Sequence, residues 1–223
     1  MLELPDQPAS MKRFLAALIL LVILGLGLPA LISNRKTEAT TTIDIAGMPV
    51  QGAEAAKVAV IEFSDYECPY CARNATTVFP ELKSEFISTG KVRYVFANFP
   101  LPNHHNARQL AAAAVCAGKQ DAYWKMHDEL FENRPRTSEG ILDLGTKLGL
   151  QPQPFSQCLG DDGPLTERIQ LDQQIARRFQ ISGTPSFVLG AIDAQGRVVA
   201  KDVIVGAQPF SAFESAITNL LHK

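Results

Sequence analysis

The pair Cys68 and Cys71 constrains this chain more than any other feature of its sequence. Both cysteines lie in the segment Cys68-Pro-Tyr-Cys71, shortly after the apolar run at residues 58–63. That run predicts a buried strand, and a helix that begins at the first cysteine would place its sulfur at the helix N-terminus. Free backbone N–H groups and the helix dipole favour a thiolate there, and the thiolate is the form that attacks disulfides. The second cysteine follows about one turn later, so the sequence predicts a site of thiol–disulfide exchange.

Two other uses of a Cys-x-x-Cys pair compete with this interpretation. A structural zinc site needs a second ligand pair at similar spacing, and the two remaining cysteines, Cys116 and Cys158, form no such pair. A purely structural bridge over so short a loop removes little entropy from the unfolded chain. Redox chemistry is therefore favoured, and no metal is expected.

Length and charge exclude some classes of function. The chain has 223 residues, enough for one domain of ordinary size with additional segments. Its net charge is −2, so no basic field would attract nucleic acid. No Gly-rich phosphate loop occurs in the sequence, and we therefore expect neither a nucleotide nor any other cofactor.

An uncharged run at residues 14–32 is long enough to span a bilayer. Residues 1–13 end in two basic residues, as a cytoplasmic n-region would, but a basic pair also follows the run, so charge alone leaves the orientation open. We expect an uncleaved membrane anchor; a cleaved signal sequence and a core helix are the alternatives. All four cysteines follow this run, and an even set favours an exported, oxidising location. The catalytic part is therefore expected on the extracytoplasmic side, after a polar linker at 33–42.

Beyond the linker, hydrophobic periodicity predicts a strand–helix–strand unit, a run of helices, and then two strands and a final helix. The first two long strands should be parallel because a helix connects them. Pro80 lies inside the first helix and should kink it, because proline removes a hydrogen bond and clashes with the preceding turn. The predicted strands are 43–45, 58–63, 91–96, 183–189 and 202–205, and the predicted helices are 69–88, 106–117, 121–133, 138–148, 164–180 and 210–221.

This order of elements, together with three short segments, resembles the thioredoxin superfamily. The segments lie at residues 62–71, 99–102 and 183–187 and read EFSDYECPYC, FPLP and GTPSF. The predicted helical insertion at about 105–180 is similar to that of the DsbA-like branch of exported disulfide oxidoreductases. The resemblance covers about residues 43–222 and implies an α/β thioredoxin fold, in which a central mixed β-sheet carries an inserted helical domain.

The resemblance also implies roles for individual residues. Cys68 would be the nucleophile and Cys71 the resolving cysteine, with Pro69 and Tyr70 as the dipeptide between them. In the family a cis-proline lies opposite the active-site disulfide, and Thr184-Pro185 matches that position. The Thr184 backbone would then be free to pair with an extended substrate.

Three acidic residues lie close to the cysteines in sequence. Glu62 matches the family's buried acidic residue, whose carboxyl would relay protons for Cys71; a surface carboxylate on the strand is the alternative. We expect Asp65 and Glu67 to be exposed loop acids that oppose a thiolate at Cys68.

Several other residue types that often carry chemistry receive structural interpretations. His104 is expected to be a loop histidine near the site, and Trp124 and His127 are expected to pack in the helical domain. Once the local pair is assigned, only Cys116 and Cys158 remain to form a structural disulfide, and a second disulfide of this type occurs in some relatives. Two free buried thiols are the alternative.

The sequence thus predicts an extracytoplasmic thiol–disulfide oxidoreductase that introduces disulfides into exported proteins with free thiols. A membrane partner linked to quinone would reoxidise it. A reductase or isomerase, for example in cytochrome maturation, is the alternative within the same class. A non-enzymatic exported module that binds peptides at the Thr184-Pro185 edge is the alternative from a different class.

Overall fold

The fold is described by a computed structural model for residues 42–222. The predicted n-region, the predicted anchor at 14–32 and nearly all of the predicted linker at 33–42 lie outside these residues. Within residues 42–222, none of the helices has both the length and the apolar composition needed to cross a bilayer.

A mixed β-sheet forms the centre of the described residues, as predicted. Its six strands lie in the order β1-β6-β5-β3-β4-β2. The central pair β3–β4 is parallel and every other pair is antiparallel. The strands are β1 (Thr42–Ile43), β2 (Val50–Gln51), β3 (Val58–Ser64), β4 (Val92–Asn98), β5 (Ser186–Ile192) and β6 (Val198–Val205). Every residue of β3 is buried, because β3 lies between β4 and β5 and is covered on both faces.

The helix that carries the two cysteines, α1, spans residues 69–87 and alternates between α-helical and wider π-helical turns. Pro69–Arg73 and Phe79–Leu82 are α-helical, whereas Asn74–Val78 and Lys83–Ile87 are π-helical. Pro80 has no N–H to continue the α-helical pattern, and the first π-helical turn immediately precedes this region. The disturbance predicted at Pro80 therefore takes the form of wider turns in an otherwise continuous helix.

Five helices lie between β4 and β5, where the sequence predicted a helical insertion. They are α2 (Ala107–Gly118), α3 (Tyr123–Asn133), α4 (Ser138–Lys147), α5 (Pro152–Leu159) and α6 (Asp162–Arg178), and the final helix after β6 is α7 (Phe210–Leu221). The helix α5 was not predicted. A disulfide joins Cys116 of α2 to Cys158 of α5, with 5.7 Å between their Cα atoms.

The core has three parts, one for each layer boundary. On one face of the sheet, apolar residues of β3, β4 and β5 pack against α6. On the other face they pack against α1 and α7, chiefly through Val60, Tyr94, Phe187, Phe79 and Phe213. The helical layer has its own core, which reaches the sheet at Phe96 and the loop before Cys68 at Tyr66. The loop between β3 and α1 is thus packed into the helical core through Tyr66 and Cys68, which fixes the position of the cysteines.

Candidate functional site

Cys68 caps the N-terminus of α1, where the sequence analysis placed it. Its backbone is extended, Pro69 occupies the first turn, and the Ala72 N–H donates to the Cys68 carbonyl at 3.1 Å. A proline at this position costs no hydrogen bond, because its missing N–H would be unpaired in any case. Cys71 lies one turn further along the same helix. Both thiols are free; Cys68 is 3% exposed and Cys71 is fully buried.

The two thiols differ strongly in acidity. Hydrogen bonding from Cys71 does most to lower the pKa of Cys68; the N–H groups of Cys71 and Tyr70 add to it, and burial opposes it. The net result is a Cys68 pKa of about 5. Burial, reinforced by Cys68 and by the charge of Glu62, raises the pKa of Cys71 far above the ordinary thiol value. At neutral pH the pair therefore holds a thiolate at Cys68 and a thiol at Cys71.

The segment before β5 lies against the Cys68 sulfur. The Thr184–Pro185 peptide bond is cis, and the Cys68 sulfur lies 3.5 Å from the Thr184 carbonyl oxygen. The Ser186 hydroxyl donates to the Gly183 carbonyl at 2.7 Å and closes the turn. The structure thus brings together two segments that are more than a hundred residues apart in sequence.

Glu62 is a buried carboxyl beneath the cysteines, with only 3% of the residue exposed. Tyr94 of β4 donates a short hydrogen bond to its Oε2, and the Asn74 amide of α1 donates to its Oε1 at 3.4 Å. Burial raises the pKa of Glu62 to about 7, although the hydrogen bonds from Tyr94 and Asn74 counteract it. A carboxyl with this pKa exchanges protons readily at neutral pH.

The expectation of exposed loop acids at Asp65 and Glu67 is wrong. Asp65 is 2% exposed, and its carboxylate accepts from the Glu67 N–H at 2.7 Å, the Leu101 N–H at 2.7 Å and His104 Nδ1 at 2.9 Å. Glu67 accepts from the Asn106 N–H at 2.7 Å. Apart from the Glu67 N–H, these donors come from the loop after β4, which packs against the loop before Cys68. Both acids therefore hold the two loops together, and their charge is compensated by hydrogen bonds.

Removing this compensation should destabilise the protein. The Asp65 carboxylate accepts three hydrogen bonds, and Asp65→Asn replaces one of its oxygens by an NH2 group that cannot accept them. We therefore expect this substitution to lower the free energy of unfolding by about 2–3 kcal/mol. Asp193→Asn is the matched control, since Asp193 also accepts N–H groups, from Gln195 and Arg197, but in a partly exposed turn. Urea unfolding compares the two variants. Equal losses would show that the buried contacts of Asp65 add nothing beyond an ordinary turn.

The remaining predicted residues divide between surface and core. Tyr70 is 58% exposed, with the Arg73 guanidinium 5.4 Å from its ring centre. His127 is buried among aromatic rings, and burial lowers its pKa to about 3, so it is neutral. The Trp124 indole donates to the Val50 carbonyl at 3.1 Å. In the described part of the chain, no three side chains are grouped as a metal site would require.

Sequence reasoning missed Tyr94 and Asn74 as members of the site. Parallel pairing sets Tyr94 of β4 opposite Val60 of β3, close enough to reach Glu62. Side chains alternate between the two faces of a strand, so Val60 and Glu62 share one face of β3, and Tyr94, the partner of Val60, lies on that same face. The alternation of large residues along β4 was visible in the sequence, but the register that pairs Tyr94 with Val60 was not. Asn74 follows Cys71 on α1 and faces the sheet.

Comparisons with known proteins agree with this geometry. A family model described as thioredoxin matches residues 45–203. Disulfide bond formation protein D of Bacillus subtilis is 32% identical over 152 residues, which cover 64% of this chain and 67% of that protein. The crystal structure of oxidised BdbD from Bacillus subtilis superposes with a TM-score of 0.68 at 25% identity, covering 82% of this chain and 97% of that one. Alpha-DsbA1 of Wolbachia pipientis, at 22% identity, has a TM-score of 0.68 over 81% of this chain and 94% of its own and shares the fold.

Proposed function

The chain belongs to the thioredoxin family and is a DsbA-like thiol–disulfide oxidoreductase, and from this premise we propose that it introduces disulfides into exported proteins through Cys68 and Cys71. The observation that carries the proposal is the opposite perturbation of the two thiols. A stabilised Cys68 thiolate favours the reduced protein, and a site whose reduced form is favoured is a strong oxidant.

The pH dependence of this preference follows from the sign of the Cys68 shift. The pKa of Cys68 in the folded, reduced protein is about 5, below the ordinary value of 9.0. The thiolate therefore stabilises the reduced fold fully above pH 9, and this contribution disappears as the pH falls through about 5. At neutral pH, between these two values, part of this contribution to the oxidising strength of the site is retained.

The proposed reaction begins with the Cys68–Cys71 disulfide. A substrate thiolate attacks the Cys68 sulfur, forms a bond to it and breaks the bond to Cys71, which leaves with the electron pair. Glu62 gives a proton to the departing Cys71 sulfur, whose raised pKa makes it the better proton acceptor. A second substrate thiolate then attacks the substrate sulfur of the mixed disulfide and releases Cys68 as a thiolate. Two substrate thiols become one disulfide, and the protein gains two electrons.

The proposed substrate contact is the backbone of Thr184, before the cis Pro185. Its carbonyl faces the Cys68 sulfur at 3.5 Å, so an extended peptide joined to Cys68 would run beside this segment. Backbone pairing of this kind tolerates many side chains. The exposed Tyr70 would contact the same peptide.

The proposed setting is the extracytoplasmic side of a membrane, with residues 14–32 as the anchor, 33–42 as the linker and 43–222 as the catalytic domain. A membrane partner linked to quinone would take the two electrons and restore the Cys68–Cys71 disulfide. The Cys116–Cys158 disulfide supports this setting, since bonds of this kind persist in oxidising compartments.

The reduction potential of the full-length protein in detergent tests the direction of the reaction. We expect a value above about −180 mV in glutathione buffers, as for disulfide donors. A value near or below about −250 mV would contradict the oxidase and make the protein a reductase. The control is a variant that carries both Cys68→Ser and Cys71→Ser, which should show no redox transition while keeping its Cys116–Cys158 disulfide.

A further inference from the structure

Tyr94 and Glu62 form a buried acid–phenol pair between the two central strands. Tyr94 is fully buried and Glu62 is 3% exposed, and the Tyr94 hydroxyl donates to Glu62 Oε2. The other carboxyl oxygen, Oε1, accepts from the Asn74 amide at 3.4 Å. One donor comes from β4 and the other from α1, the helix that carries Cys71. The carboxyl is thus fixed at both oxygens by two different elements.

The polar groups around Glu62 are neutral donors and the two cysteine sulfurs, of which Cys68 is a thiolate in the reduced protein and so also raises the pKa of Glu62. Tyr94 faces it from β4, Ser64 from its own strand, and Asn74, Cys68 and Cys71 from α1. Its partner on β5 is the apolar Phe187. Within residues 42–222 no ion pair involves Glu62, so its carboxylate form depends on hydrogen bonds to offset burial.

We propose that Tyr94 is a positioning residue that holds Glu62 beneath Cys71 and determines the pH at which Glu62 releases its proton. The inference rests on the proposed role of Glu62 as the proton donor to Cys71. A phenol that donates to a carboxyl binds the ionised form more strongly than the neutral form, because that hydrogen bond is charge-assisted. Burial, with the Glu62 charge as a further cause, raises the pKa of Tyr94 well above its ordinary value, so the phenol keeps its proton and remains a donor.

The first test measures the Glu62 titration directly. In the reduced full-length protein, the carboxyl carbon of Glu62 is followed by 13C NMR and assigned by its loss in Glu62→Gln. Tyr94→Phe keeps the ring against Phe79 but removes the donor. We expect the Glu62 midpoint to rise from about 7 by about one pH unit, a roughly tenfold change in its ionisation constant.

The matched control is Tyr123→Phe, which removes a partly buried hydroxyl that contacts Tyr66 at 3.4 Å instead of Glu62. It should leave the Glu62 midpoint unchanged within a few tenths of a pH unit. If Tyr94→Phe proves too unstable to study, Asn74→Ala removes the longer of the two hydrogen bonds and should raise the midpoint by a smaller amount. An unchanged or lowered midpoint in Tyr94→Phe, or in Asn74→Ala where that variant replaces it, overturns the inference.

The second test is the pH profile for reduction of the Cys68–Cys71 disulfide by dithiothreitol, corrected for the thiolate fraction of the reagent. Tyr94→Phe should move the fall in rate to a pH about one unit higher, because Glu62 stays protonated longer. In a Glu62→Gln background the same substitution should have no effect on the profile. A purely structural Tyr94 would lower the Tm and leave both midpoints in place, and this overturns the inference.

The two proposals fail in different ways. A low reduction potential removes the oxidase assignment and leaves the Tyr94 measurements untouched. A Glu62→Gln profile identical to that of the wild type removes the proton-donor role and the Tyr94 inference with it, whatever the potential.

Discussion

Replacing Cys68 by serine is expected to lower the rate of thiol–disulfide exchange by at least about 10³-fold. The other cysteines cannot take over its role, since Cys71 has a raised pKa and Cys116 and Cys158 are joined in a disulfide. A hydroxyl at position 68 would be a far weaker nucleophile at neutral pH than a thiolate. The measurement is the oxidation of a reduced peptide with two cysteines, followed by mass spectrometry.

Cys71→Ser is the matched variant because it changes the partner cysteine on the same helix. It keeps the Cys68 thiol but cannot form the local disulfide, so it should not oxidise the reduced peptide. When the peptide is supplied in its disulfide form, the Cys68 thiolate attacks one peptide sulfur and releases the other, and this mixed disulfide should accumulate because no Cys71 thiol resolves it. Full exchange by Cys68→Ser would contradict the proposed site. A wild-type protein that binds peptide without exchanging thiols would support the binding module instead.

The order of elements and the central part of the fold could be predicted from sequence because each long element has a clear period. The continuous apolar run at 58–63 became β3, and the helical patterns between 106 and 180 became the insertion. The strand β2 (Val50–Gln51) was missed because two residues are too few to show the alternation of apolar and polar residues that predicts a strand. It is defined by its hydrogen bonds to β4. The short helix α5 was missed for a related reason. It has eight residues, about two helical turns, which is too short for a clear helical repeat of apolar residues.

Residues within the local motif were easier to predict than residues brought in from elsewhere. Cys68, Cys71 and Glu62 share one strand–helix segment, so their proximity follows from sequence spacing. Asp65 lies in the same segment, yet its burial depends on donors from the loop after β4 and could not be read from its neighbours. The register that brings Tyr94 to Glu62 depends on strand pairing and likewise required the structure.

The second large effect concerns the stability of the helical insertion. Replacing Cys116 and Cys158 together by alanine should lower the free energy of unfolding by about 4 kcal/mol. The bond spans 42 residues of sequence, and its loss releases that loop in the unfolded chain. Urea unfolding, with Cys68 and Cys71 reduced in both proteins, measures the difference. Because the unfolded variant is less compact, its m-value should also rise.

Exchange activity provides the control for this variant. Cys116 and Cys158 join α2 to α5, whereas the hydrogen bonds to Cys68 come from α1 and the Thr184 segment. At temperatures where the variant remains folded, its exchange rate should therefore stay within about twofold of the wild type, a difference below 0.5 kcal/mol at RT of about 0.6 kcal/mol. A loss of stability below about 1 kcal/mol with an unchanged m-value would contradict the loop-entropy explanation. A large loss of exchange in the folded variant would instead mean that the helical insertion positions the active-site cysteines.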